Sequence, residues 1–163
     1  MIFLTVGTQL PFDRLVAAVD AWAGARGRSD VFGQISDPGP SGYRPRHFEW
    51  AADLDPAEFE RRFRAASHIV AHAGMGTILG ALGQQKPLLV MPRRAHLGEQ
   101  RNDHQFATVG RLCARPGILV AMETGEVAER MDALLACGIA AAAPIARFAE
   151  RRLTDAIRAT ILG

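Results

Sequence analysis

Cysteine is nearly absent from this sequence, which contains two, Cys113 and Cys137. Neither has a second Cys or His at metal-site spacing, and two isolated thiols do not make a disulfide framework. A reducing cytoplasm is the compartment this implies. Long apolar runs are missing too. The opening Met1-Ile2-Phe3-Leu4-Thr5-Val6-Gly7 is too short an apolar stretch for a signal peptide. No segment approaches the roughly 20 apolar residues that cross a bilayer. Membrane contact would have to come from the surface or from a partner. Charge of one sign is also scarce: the net charge of +2 is too small for a nucleic-acid footprint. The sequence has no Gly-x-Ser-x-Gly elbow, no G-x-G-x-x-G fingerprint and no P-loop, so serine-hydrolase, NAD and ATP chemistry are not indicated.

What is present fits one soluble domain over residues 1–163 with an ordinary hydrophobic fraction of 48%. Ile2 to Val6 is a β-prone run that stops at Gly7, and Pro11 opens a helix with Phe12, Leu15, Val16 and Val19 at helical spacing. Val31 to Ser36 and His47 to Trp50 read as two further strands. Asp55 is an N-cap with Pro56 in the first turn of a charged helix to about Ala66. Ser67 to Ala71 is the next strand, followed by a helix carrying Ile78, Leu79 and Leu82. Leu88 to Met91 and Ile118 to Val120 are strands, Asn102 to Cys113 and Glu126 to Leu135 helices. A last amphipathic helix is expected at about 144–162. Strands alternating with helices on short loops indicate a Rossmann-like, doubly wound α/β fold with a mainly parallel sheet. Ligands of such sheets bind beyond the carboxyl ends of the strands.

Three loops leave such ends. His72-Ala73-Gly74-Met75-Gly76-Thr77 joins a strand to a helix N-terminus, whose unpaired N–H groups and dipole favour a phosphate. Gly74 and Gly76 let the backbone approach a ligand closely, and Thr77 offers a hydroxyl. Tight strand–helix packing would use the same glycines. Gly7-Thr8-Gln9 is a second turn of this kind, and a diphosphate could be held from both. The third loop runs from Pro92 through Arg93 and Glu99 to Gln105. Its last six residues, from Gln100, are all polar. Composition leaves open whether they form a solvated loop or a set of donors and acceptors for a sugar ring. His68 and His72 stand four apart on a strand rather than a helix, and His96 and His104 lack a third ligand, so no metal site is assigned.

The run from Ala71 to Gln105, with the opening Phe3 to Gln9 and Pro11 to Leu15, resembles the carboxy-terminal domain of family 28 glycosyltransferases. More narrowly it resembles the small, free-standing donor-binding subunits of two-subunit transferases. One of these belongs to the eukaryotic lipid-linked oligosaccharide N-acetylglucosaminyltransferase, and others act in bacterial exopolysaccharide and capsule synthesis. The similarity reaches about Leu135. Its most specific part is His72 to Thr77 combined with Asn102-Asp103-His104-Gln105.

This resemblance implies the C-terminal half of a GT-B enzyme, with a UDP-sugar as donor and no further cofactor. Gly7, Thr8, Gln9 and the loop His72, Gly74, Met75, Gly76, Thr77 would contact the diphosphate, with Arg93 adding charge. His104 and Gln105 would face the sugar, with Asp103 beside them. Where the family commonly carries a ribose-binding glutamate this sequence has Gly80, and Glu99 is the proposed substitute. The general base is expected on a membrane-associated, acceptor-binding partner subunit that recruits the chain to the inner face of the membrane. Two alternatives stay open: a non-catalytic nucleotide-sugar-binding or regulatory module, and a self-sufficient homodimeric enzyme.

Overall fold

Six parallel strands form one sheet in the order β3-β2-β1-β4-β5-β6. They are β1 (Ile2–Thr5), β2 (Val31–Gln34), β3 (Glu49–Ala51), β4 (His68–His72), β5 (Leu88–Met91) and β6 (Ile118–Val120). The helices between them are α1 (Asp13–Arg26), α2 (Pro56–Ala65), α3 (Met75–Gly83), α4 (His104–Leu112) and α5 (Val127–Ala136). The structure is a computed structural model that describes residues 1–112, 115–136, 155 and 158–160. The expected final helix at 144–162 lies largely outside these residues, as do Cys113 and Cys137. Asp155 and residues 158–160, which are described, are helical.

The central strands are apolar on both sides because helices cover both faces. Alternation along each strand sends Ile2, Leu4, Val70, Leu89 and Met91 to the face packed by Leu15, Val19, Trp22, Met131 and Leu134 of α1 and α5. Phe3, Ile69, Ala71, Leu88 and Val90 go to the opposite face, under Phe63, Ile78, Leu82 and Val109 of α2, α3 and α4. On that second side Phe3 meets Phe59 edge-on at 5.4 Å, and Phe59 stacks on Phe63 at 5.7 Å. On the first side Asp132 accepts from the Trp22 indole at 2.9 Å and pairs with Arg26, tying α1 to α5.

Local rules explain most boundaries. Asp55 caps α2 by accepting from the Glu58 N–H at 2.8 Å, with Pro56 at the first helical position. Gly27 ends α1 in the left-handed conformation. Tertiary contacts shift the others. The third strand was expected at His47 to Trp50, but it runs over Glu49–Ala51, because the His47 N–H is taken by the Asp20 carboxylate at 2.8 Å. Strand β4 continues past Ala71 to His72, which pairs in register with Met91. Helix α3 begins at Met75, so Gly76 and Thr77 sit inside its first turn rather than in a loop.

Candidate functional site

Strand β1 leads outward to β2 and β4 leads outward to β5, although the two pair side by side with Thr5 opposite Ala71. Their loops therefore part in opposite directions and leave a crevice at the point where the strand order reverses. A cavity of about 280 Å³ opens there, lined by Val6, Gly7, Thr8, Gln9, Leu10, His72, Arg93 and Gln100. Five expected ligand residues (Gly7, Thr8, Gln9, His72 and Arg93) are thus brought together.

His72 joins the two loops. Its ring lies between Gly7 and Gly74, and a Cβ at Gly7 would stand 3.1 Å from the ring. A Cβ at Gly74 would stand 2.2 Å from Nε2, which no real side chain tolerates. Gly7 is also left-handed, with φ of 82°. Both glycines therefore make room for this imidazole. Burial, reinforced by the nearby Arg93 charge, holds the ring's pKa down to about 4, and the Thr5 backbone opposes the shift without reversing it. Nδ1 is buried without a hydrogen-bond partner, and the ring is neutral at physiological pH.

Beneath the cavity a polar chain supports the Gly7 turn. Thr5 donates to Gln34 at 2.8 Å, and Gln34 donates to Asp53 at 3.1 Å. Ser36, itself left-handed with φ of 60°, donates to the Gly7 carbonyl at 2.8 Å. Sequence reasoning missed Thr5, Gln34, Ser36 and Asp53, whereas Gln100, which lines the cavity, belongs to the polar run already singled out. The available signal was a polar residue closing each of two otherwise apolar strands.

Several expected roles change. Arg93 is 3% exposed, and its guanidinium donates to the carbonyls of Val6, Leu10, Pro11 and Glu99. Burial lowers its pKa to about 10, opposed by Glu99, which leaves it charged. Glu99 is not free for a ribose: its carboxylate grips Arg14 at 2.8 and 2.9 Å and accepts from the Arg94 N–H at 2.8 Å. Gln105 does not face the cavity. It is 2% exposed, and its Oε1 accepts from the Arg93 N–H at 3.0 Å. Asp103 is exposed and accepts from the Ala95 N–H at 2.9 Å. His104 is exposed at the start of α4, with Nδ1 bonded to Asn102.

The second motif is divided as well. Gly74 is the N-cap of α3 and carries no capping side chain, so the N–H groups of the first turn are left for solvent or ligand. Met75 lies on the α4 side, 47% exposed and beside Ala107 and Arg111. Gly76 and Thr77 line a separate cavity of about 300 Å³ with Phe59, Glu60, Phe63, Gly80 and Gln84. A Cβ at Gly80 would meet the Phe63 ring at 3.4 Å, so this position is the close contact between α3 and α2. Among the described residues no group of three His, Cys, Asp or Glu is placed to hold a metal ion. No described helix is long and apolar enough to cross a membrane.

The chain matches no protein-family model and no curated protein sequence. Solved structures do share its architecture. The glycotransferase of kitacinnamycin superposes with a TM-score of 0.62 at 15% identity, over 86% of this chain and 36% of that one. ALG13, in its solution structure, gives 0.55 at 15% identity over 96% and 93%. The calicheamicin glycosyltransferase CalG4 gives 0.54 at 17% identity over 98% and 41%. The fold is one that glycosyltransferases use. Its Rossmann-like parallel sheet matches the C-terminal domains of GT-B glycosyltransferases in architecture. This chain spans about a third of the kitacinnamycin enzyme and nearly all of ALG13.

Proposed function

We propose that this domain is the donor-binding half of a glycosyltransferase and holds the diphosphate of a UDP-sugar in the crevice between β1 and β4. The observation that carries this is the meeting of the Gly7-Thr8-Gln9 turn with His72, whose ring packs against Gly74 at the start of α3, at one cavity beside a buried arginine charge. An anion there would receive backbone N–H groups from Thr8 to Leu10 and lie near the uncapped start of α3. Such donors are fixed before reaction, so they stabilise charge that grows on the departing UDP without reorganising. His72, neutral and in the cavity wall, supplies an N–H or a lone pair but no charge. His104 and Asp103, exposed at the mouth of the 92–105 loop, are the residues left to meet the sugar.

Sugar transfer also requires an acceptor hydroxyl to be deprotonated as it attacks the anomeric carbon. None of the residues lining the cavity is a carboxylate, and His72, held near pKa 4, is too weak a base for a hydroxyl, so the general base is assigned to a partner that also binds the acceptor. A membrane-associated partner would bring the domain to a lipid-linked acceptor, in exopolysaccharide or related glycan synthesis. The fold is known in both settings, as nearly all of ALG13 and as about a third of the kitacinnamycin enzyme.

Calorimetric titration with UDP and a panel of UDP-sugars tests the donor site, with micromolar to millimolar binding expected. A transfer assay with membranes, with and without a co-expressed partner, tests the division of labour. Absence of any UDP binding refutes the donor site. Binding without transfer in every combination assigns the domain to a non-catalytic role, and turnover by the isolated chain refutes the need for a partner.

A further inference from the structure

Building on the donor site proposed above, we infer that Arg93 is a positioning residue: its buried guanidinium pins the two ends of the Val6–Pro11 loop, at Val6 and at Leu10 and Pro11, and so holds the Thr8–Leu10 amides between them on the cavity, toward the diphosphate. Arg93 lines the cavity, but at 3% exposure its NH1 and NH2 donors are committed to protein carbonyls rather than offered to a ligand. NH2 donates to Val6 and Leu10, each at 2.7 Å, and NH1 to Pro11 at 2.8 Å and Glu99 at 3.1 Å. Ser36 takes the Gly7 carbonyl at 2.8 Å. The carbonyls of residues 6, 7, 10 and 11 are thus all turned into the protein.

A trans peptide directs its C=O and its following N–H to opposite sides, and no peptide bond here is cis. Fixing the Gly7 carbonyl on Ser36 therefore sends the Thr8 N–H away from Ser36. Fixing the Leu10 carbonyl wastes no donor, since Pro11 has no N–H. Among the described residues the N–H groups of Thr8, Gln9 and Leu10 make no hydrogen bond, and all three residues line the cavity. Successive unpaired amides on one concave turn form an anion-binding nest. The clamp is itself secured: Gln105 holds the Arg93 main chain, and the guanidinium lies 4.6 Å from the Phe12 ring centre. Lysine could keep the charge, but three donors on one nitrogen cannot span four carbonyls in a planar fork.

The test compares the wild-type chain with Arg93→Lys, Arg93→Met and Ser36→Gly. UDP and inorganic pyrophosphate are titrated calorimetrically, and the Thr8, Gln9 and Leu10 amide resonances are followed without ligand. Both Arg93 variants should lose roughly tenfold or more in affinity, the factor expected for removing a charge-assisted hydrogen bond. Their loop amides should shift before any ligand is added. Ser36→Gly tolerates the left-handed backbone and removes only the hydroxyl, so it should weaken binding by about threefold or more. Wild-type affinity in Arg93→Lys overturns the clamp, since charge alone would then suffice. If the Arg93 variants fail to fold, unchanged affinity and an unmoved Thr8 amide in Ser36→Gly overturn it instead. A wild-type chain that binds neither UDP nor pyrophosphate refutes the donor site, and the ligand-free amide shifts still decide the clamp.

Discussion

Replacing Gly74 by alanine tests how the two loops are joined. The added Cβ would stand 2.2 Å from Nε2 of His72, 2.8 Å from Cε1 and 3.0 Å from Cδ2, against 3.4–4 Å for ordinary contact. The clash is with a whole ring edge, and the space open to the ring is the cavity that it lines. Either the imidazole swings into the cavity or the start of α3 moves off β4. Overpacking of this kind costs about 1–3 kcal/mol, and either movement should lower UDP affinity by roughly tenfold, an effect of about 1.4 kcal/mol. The assay is a double-mutant cycle with His72→Ala, read by urea denaturation and by calorimetry. Alanine's small disadvantage as an N-cap is present in both backgrounds and drops out of the cycle. With the ring gone, Gly74→Ala should cost almost nothing beyond that. A Gly74→Ala chain as stable and as tight-binding as wild type would refute the wedge, as would an equal loss in the His72→Ala background.

Three other outcomes follow from the same structure. Asp20 is fully buried and accepts from the Tyr43 hydroxyl at 2.7 Å and from the N–H groups of Arg46 and His47 at 3.0 and 2.8 Å. Asp20→Ala should therefore cost about 2–4 kcal/mol in urea denaturation and release the 37–48 segment to proteolysis. His72 is held near pKa 4 when folded, against an ordinary value of 6.5. The unfolded chain binds the extra proton between these values, so stability is intact above about pH 6.5 and falls as pH drops toward 4. His72→Gln should remove up to about 1.4 kcal/mol per pH unit from that slope. Lys86, the single lysine, donates to the carbonyls of Arg64 and Ala66 at the end of α2. Lys86→Met should lower stability by about 1–2 kcal/mol in the same denaturation assay.

Much of this molecule could be read from its residues, because the deciding interactions were local. Leu88–Met91 and Ile118–Val120 are apolar runs between turn residues, and both are strands over those residues. Asp55 and Pro56 start α2 through a cap that needs only four consecutive residues. The parallel doubly wound class followed from strand–helix alternation, and the meeting of Gly7-Thr8-Gln9 with His72 followed from that class.

Side-chain direction could not be read this way, since it depends on partners far along the chain. Arg93 and Glu99 both looked like ligand residues in a polar loop. The fold places Arg93 under Val6 and Leu10, more than 80 residues earlier, and Glu99 against Arg14. Gln105 looked like a sugar contact until the packing of α4 buried it behind Arg93. A polar residue in a loop can meet solvent, a ligand or a backbone group of another segment, and composition is the same in all three cases. Only the tertiary structure, by fixing which groups lie within reach, determined that Arg93 turns to the carbonyls of Val6, Leu10 and Pro11 and Glu99 to Arg14.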